Sequence, residues 1–194
     1  MSVIAETEQP GWKKALGAIS LALAGGVFGA GLATFTEGRF ADWADEANFF
    51  LGVTLVAMAV VTGVILLTRP SIAPRACGVL QVVVLALAGA MLLLPVLAPA
   101  DWPPAWAFGG VMGLLIVQSG FNLALWRRSD EMMRRVIAET SALSFWVLQG
   151  TLLIYATAER LGFVETISGW GLLAILMAVY LLSSVVAAWR RGLA

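Results

Sequence analysis

The sequence contains no histidine and a single cysteine, Cys77, among its 194 residues. Histidine is the usual axial ligand of haem and a common ligand of zinc, so nothing in the sequence points to either centre. One cysteine cannot form a disulfide within the chain. Neither a Ser-His-Asp set nor a His/Cys metal spacing nor a phosphate-binding loop occurs. We therefore expect no cofactor and no metal site, and the sequence favours a protein without enzymatic activity.

Charged residues are also scarce, at 12% of the chain, whereas soluble domains carry about 25%. Hydrophobic residues make up 60%, and the mean hydropathy is +0.90. One soluble core cannot bury so much apolar surface, which predicts an integral membrane protein surrounded by the lipid bilayer. Because the formal net charge is zero, the composition gives no argument for nucleic-acid binding.

Six segments are long and apolar enough to cross a bilayer, which requires about 20 apolar residues. The sequence therefore predicts an all-α fold, a polytopic membrane bundle of six transmembrane helices that forms one domain over residues 12–194. Residues 1–11 are expected to form a disordered cytoplasmic tail. The six predicted segments are 15–36, 48–68, 76–98, 105–126, 137–158 and 167–189.

Lysine and arginine are distributed unevenly between these segments. If the chain crosses the membrane at each one, ten of the twelve basic residues lie on one side, and only Arg39 and Arg160 lie on the other. Basic residues in short loops favour the cytoplasm, so we expect both termini to be cytoplasmic. Segments two, four and six end alike, which fits either three helical hairpins or simple anchoring at one membrane surface.

The densest run of charge covers residues 127–139, between the fourth and fifth segments. Ser129 or Asp130 is expected to cap a helix that starts here. Opposite charges four residues apart predict ion pairs along that helix. The predicted pairs are Asp130–Arg134, Glu131–Arg135 and Arg135–Glu139.

The motif Asp130-Glu131-x-x-Arg134 lies between hydrophobic hairpins and precedes an apolar helix. In this loop the chain resembles small bacterial inner-membrane proteins of unknown function that carry an Asp-Glu-x-x-Arg/Lys motif, although Met132 stands where a basic residue is expected. The resemblance implies a multi-pass protein of the bacterial inner (cytoplasmic) membrane and no particular activity. We interpret the loop as a docking site formed by Arg127, Arg128, Asp130, Glu131, Arg134 and Arg135.

Polar side chains inside the apolar segments are the candidates for a functional site, because a polar group in hydrocarbon needs a partner or water. They line a cytoplasm-facing cavity with Glu139 at its mouth, or they form hydrogen bonds between helices while Glu139 pairs with Arg135. We also hypothesise that Glu139 points into the bundle and meets Asn122 or Gln81. The candidate cavity residues are Gln81, Gln118, Asn122, Glu139, Ser144, Gln149 and Ser183.

Small residues form stripes on two segments. Gly25, Gly29 and Ala33 recur four apart in the first, and Gly109 and Gly113 do so in the fourth. Such stripes allow helix backbones to approach closely. Internal packing explains them, or the first stripe binds a second copy or a partner membrane protein.

The loop after the first segment carries Phe40, Trp43, Ala44 and Ala47 at helical spacing. This spacing predicts a short helix in the membrane interface, with Asp42, Asp45 and Glu46 on its wet face. Before the fourth segment, Asp101 is the expected N-cap, followed by proline in the first turn.

These features favour an accessory, scaffolding or assembly subunit of the membrane. The alternative is a transporter or channel for a small solute or ion, with a cytoplasm-facing polar cavity. An intramembrane enzyme is the third interpretation, and the missing nucleophile and metal sets weigh against it.

Overall fold

The computed structural model describes residues 25–40, 42–68, 75–99 and 101–190. Within these ranges all regular structure is helical, as predicted, and no strand occurs. The chain divides into two compact units, Met1–Ala41 and Asp42–Ala194. The first unit contains helix α1, described over 25–36, and the second contains α2 (Trp43–Thr68), α3 (Arg75–Leu97), α4 (Pro104–Arg128), α5 (Glu131–Arg160) and α6 (Gly169–Arg190).

Helix α1 ends in a turn at Gly38, whose φ of 73° is a left-handed conformation that glycine adopts at little cost. The guanidinium carbon of Arg39 lies 3.8 Å from the centroid of the Phe35 ring. A Cβ added to Gly25 or Gly29 would meet no atom within 4 Å. The small-residue face predicted to bind a partner is therefore open within the described part of the chain, and its role stays a prediction.

Helices α2 to α6 are each long and apolar enough to cross a membrane. They confirm the prediction of a helical, membrane-type protein. Of the first predicted segment, 15–36, the structure describes the helix only from residue 25, and the expected tail at 1–11 lies outside the described residues.

Packing contacts connect the five long helices in the order α4, α3, α2, α6, α5, so α4 packs mainly on α3 and α5 mainly on α6. Consecutive helices run antiparallel, and α2 and α6 run parallel. The hydrophobic core lies where α2, α3 and α6 meet. It consists of buried Leu55, Ala88 and Leu92, with Leu51, Leu85, Trp170, Leu173, Met177 and Leu181 packed around them.

Two glycines set the distance between α2 and α3. A Cβ on Gly89 would lie 2.7 Å from the carbonyl oxygen of Gly52 and 2.7 Å from a methyl group of Val56. A Cβ on Gly52 would lie 2.7 Å from Cγ of Leu93. The two backbones therefore touch at this crossing, because neither residue carries a side chain.

The predicted interfacial helix before segment two is wrong. Helix α2 begins at Trp43, not near residue 48, and Ala44 is completely buried. The carboxylate of Asp42 accepts a hydrogen bond from the backbone N–H of Ala44 at 3.1 Å, which stabilises the first turn of α2. Trp43 packs over Gly171 of α6, so this turn lies against the bundle and extends α2.

The start of α4 also differs from the prediction. Its N-cap is Pro103, without a side-chain cap, and Asp101 does not cap the helix. Pro104 occupies the first turn as expected, since that position needs no N–H donor.

Charge separates the two ends of the second unit. The ends of α4 and α6 and the start of α5 lie together, and we call this the basic end; it carries Arg127, Arg128, Arg134, Arg135 and Arg190. The starts of α2 and α6 and the end of α5 form the acidic end, with Asp45, Glu46, Glu159 and Glu165.

Candidate functional site

The contact between α5 and α6 gathers polar residues near the basic end. Thr140 and Ser144 of α5 and Ser183 of α6 are buried, as is Ala187 one turn beyond Ser183. These side chains are small, so the two helices can approach closely. We call this group the α5–α6 seam, and it contains two of the seven predicted cavity residues.

Ser144 of the seam and its neighbour Ser184 bond within their own helices. Ser144 donates to the carbonyl of Thr140 at 2.8 Å, and the neighbouring Ser184 donates to the carbonyl of Leu181 at 2.7 Å. A serine that bonds back to its own helix costs little to bury, because the hydrogen remains paired. The seam therefore has the character of a packing contact.

An ion pair lies beside the seam at the basic end. Glu139 and Arg190 of α6 approach to 3.7 Å, and their side chains are 22% and 58% exposed. The predicted pair Arg135–Glu139 is wrong, because Arg135 pairs with Glu131 instead. Glu139 therefore contacts α6, and not Asn122 or Gln81 as hypothesised, since neither of those amides has a hydrogen bond among the described residues.

Two further charged residues of the docking loop, Asp130 and Arg134, form hydrogen bonds with the backbone. Asp130 caps α5 by accepting from the N–H of Met133 at 2.8 Å, which confirms it as the N-cap. Arg134 does not pair with Asp130 as predicted but donates to the carbonyls of Trp126 and Arg127 at the end of α4. These bonds close the turn between α4 and α5.

The four amide residues of the predicted cavity lie apart from the seam. Gln118 is half-buried on the α3-facing side of α4, one turn after Leu114, and Asn122 follows one turn later, exposed. Gln81 is exposed near the start of α3. Gln149 is exposed on α5, on the side opposite Thr140. Within the described ranges, none of these four amide side chains has a hydrogen bond.

A contact that the sequence did not reveal joins α2 to α6 at the acidic end. The amide of Asn48, which is completely buried, donates to the carbonyls of Ala44 at 2.8 Å and Trp170 at 3.0 Å. The indole N–H of Trp170 donates to Asp45 at 3.0 Å. The Asn48 carbonyl oxygen is buried without a partner among the described residues. The spacing of Asp45 and Asn48 on one helix face was the available signal.

Two open clefts lie at the acidic end. One of about 770 Å³ is bordered by Glu159, Arg160 and Glu165 around the α5–α6 turn. The other, of about 370 Å³, is apolar and lies between α2, α3 and α4. Neither contains a predicted cavity residue, and the described residues hold no group of three acidic or cysteine side chains placed to bind a metal.

Comparisons with known proteins add no family to these observations. No protein-family model, curated protein or solved structure matches the chain.

Proposed function

We propose that this protein is an accessory or assembly subunit of the bacterial inner membrane, which holds a partner membrane protein against helix α4 and the charged loop. In this proposal the chain crosses the membrane six times, with the basic end and both termini in the cytoplasm. The single observation that carries the proposal is the exposure of α4.

Helix α4 has 25 residues and none of them is buried. Among the five long helices, its main packing partner is α3. Lipid can cover its apolar side chains, among them Ile116, which is 74% exposed. Lipid tails cannot satisfy the amide of Asn122, whereas a polar group on a partner helix can.

The loop that follows α4 is suited to dock the same partner. Arg127 and Arg128 are exposed at the end of α4. The hydrogen bonds from Arg134 to the end of α4 hold the turn in one conformation. A charged surface that is ordered before binding loses less conformational entropy on association.

Photo-crosslinking in intact membranes tests this function. A photoreactive amino acid at Ile116 of α4 is expected to capture one defined membrane protein. The matched control is Leu182 of α6, which is 67% exposed and should capture lipid only. Neutral replacement of Arg127 and Arg128 is expected to reduce the adduct at Ile116. Equal capture from both positions, or lipid alone at both, would contradict the proposal.

The second candidate function is transport of a small solute or ion, and the unpaired amides of α4 favour it. In a wet cavity, Gln118→Cys would react with a membrane-impermeant thiol reagent added from the cytoplasmic side. The accessory function predicts no such reaction, with Arg128→Cys as the reactive control at the membrane surface. Rapid modification of Gln118→Cys would decide for transport.

A further inference from the structure

The far side of α5 carries a polar group deep in the bilayer. Nine residues separate Gln149 from buried Thr140, which is about two and a half turns at about 3.6 residues per turn. Gln149 therefore points away from α6, the helix on which α5 packs. With a rise of about 1.5 Å per residue, it lies about 21 Å from Arg135 and about 17 Å from Arg160, within the hydrocarbon.

Three hydroxyl-bearing residues of α5, Ser141, Ser144 and Thr157, donate to carbonyls of their own helix, whereas the amide of Gln149 does not. Ser141 and Thr157 donate to the carbonyls of Ile137 and Leu153, four residues earlier on the same helix. The amide of Gln149 makes no hydrogen bond to any part of the chain that the structure describes. Lipid tails offer it no donor or acceptor, so burial against another polar group stabilises it.

We propose that this face of α5 binds a second copy of the same chain, with the two Gln149 amides bonded to each other across a twofold axis. An amide carries both donors and an acceptor, so two identical amides can exchange hydrogen bonds. A twofold axis along the membrane normal places both Gln149 residues at the same depth. It is the symmetry of most homodimers, in which one patch meets itself.

The neighbours of Gln149 on this face complement a second copy as well. Ala138 and Ala142, both exposed, are four residues apart on the half towards the basic end, so two α5 helices can approach closely there. Glu131 and Arg135 continue the same face, with side chains 80% and 61% exposed. In a parallel pair, Glu131 of each copy can reach Arg135 of the other.

The association constant in lipid vesicles tests the proposal. Single-molecule photobleaching of the purified full chain, over a range of protein-to-lipid ratios, gives the fraction of dimers. Gln149→Leu is expected to lower the association constant about tenfold, or about 1.4 kcal/mol. Gln149→Asn keeps an amide and should lose less. Gln118→Leu makes the same change on α4 and should leave association unchanged.

Disulfide trapping locates the interface. Leu153 lies one turn beyond Gln149 on the far face of α5 and is 68% exposed. We replace it with cysteine in a chain whose Cys77 is replaced by serine. It should form a disulfide-linked dimer on oxidation, whereas Ile116→Cys on α4 should not.

A monomer at every protein-to-lipid ratio, an unchanged association constant for Gln149→Leu, or equal trapping at both cysteines would overturn the proposal. Because purified protein is used, the result does not depend on the partner proposed for α4. Loss of the α4 partner would therefore leave this dimer in place.

Discussion

Replacing Gly89 with alanine tests whether the contact between α2 and α3 governs the stability of the bundle. The added methyl group would lie 2.7 Å from the carbonyl oxygen of Gly52 and 3.2 Å from the backbone nitrogen of Val56. Backbone atoms within a helix cannot rotate aside as the end of a side chain can. The two helices must move apart, which also weakens the packing of nearby Leu55 and Leu92.

The expected cost follows from two opposing terms. Overpacking a well-packed contact costs about 1–3 kcal/mol. Alanine in a helix interior gains about 0.5–1 kcal/mol over glycine. The net loss for Gly89→Ala is therefore about 0–2.5 kcal/mol, with a midpoint of about 1 kcal/mol. Gly52→Ala should cost less, because its closest neighbour is the side chain of Leu93, which can adopt another rotamer.

The control is Gly113→Ala on α4, where an added Cβ would meet nothing within 4 Å. It should be neutral or slightly stabilising. The measurement is reversible unfolding in mixed micelles with increasing SDS, followed by circular dichroism. The reasoning predicts that stability falls in the order Gly113→Ala, Gly52→Ala, Gly89→Ala. If Gly89→Ala is as stable as Gly113→Ala, the close approach of α2 and α3 does not exist.

Three further predictions use the same preparation or labelling in cells. Asn48→Ala should lower stability by about 1–3 kcal/mol in the SDS titration, because two buried hydrogen bonds of the amide are lost; an unchanged midpoint would refute the α2–α6 contact. Glu139→Gln and Arg190→Gln should each cost about 0–1 kcal/mol, and the double variant no more than the larger single loss; additive losses would mean that the two side chains do not interact. Neutral replacement of the arginines in 127–135 should invert the topology of some molecules, seen as cytoplasmic labelling of a cysteine in 161–168.

The membrane-type helices were predictable because they depend on local composition. A run of about 20 apolar residues has few other stable conformations in lipid, whatever its neighbours are. The residues at which helices begin were harder to predict. The start of α2 was misplaced because Asp42, Asp45 and Glu46 were assigned to the wet face of a separate interfacial helix, whereas Ala44 and Asn48 of the same turns are buried against the bundle.

Close helix contacts were not predictable from stripes within one helix. Gly109 and Gly113 form such a stripe, yet a Cβ at either position would meet nothing within 4 Å. Gly52 and Gly89 are on different helices, neither has a small residue four positions away, and they form a contact because the fold places them side by side. A pairwise property of two helices leaves no periodic signal in either sequence.

Ion pairs show the same limitation. Spacing of four residues predicted both Glu131–Arg135 and Arg135–Glu139, but Arg135 adopts the first pairing. Arg190 is 51 residues from Glu139 in sequence and reaches it only because α5 and α6 are antiparallel. The sequence therefore indicated Glu139 of α5 as a candidate but did not indicate Arg190 of α6 as its partner.

For a polar residue in a helix, the sequence predicts its position along the helix axis but not which neighbouring helix its side chain faces. Depth follows from position along a helix, at about 1.5 Å per residue. Direction changes by about 100° at each residue, and its meaning depends on where the neighbouring helices lie. Ser144 and Gln149 are five residues apart, yet Ser144 is buried towards α6 and Gln149 is exposed on the far side. A single cavity required both to face one way. Because α6 covers one side of α5, the polar residues of α5 fall into two groups. Ser144 packs inside the bundle, whereas Gln149 faces its surroundings.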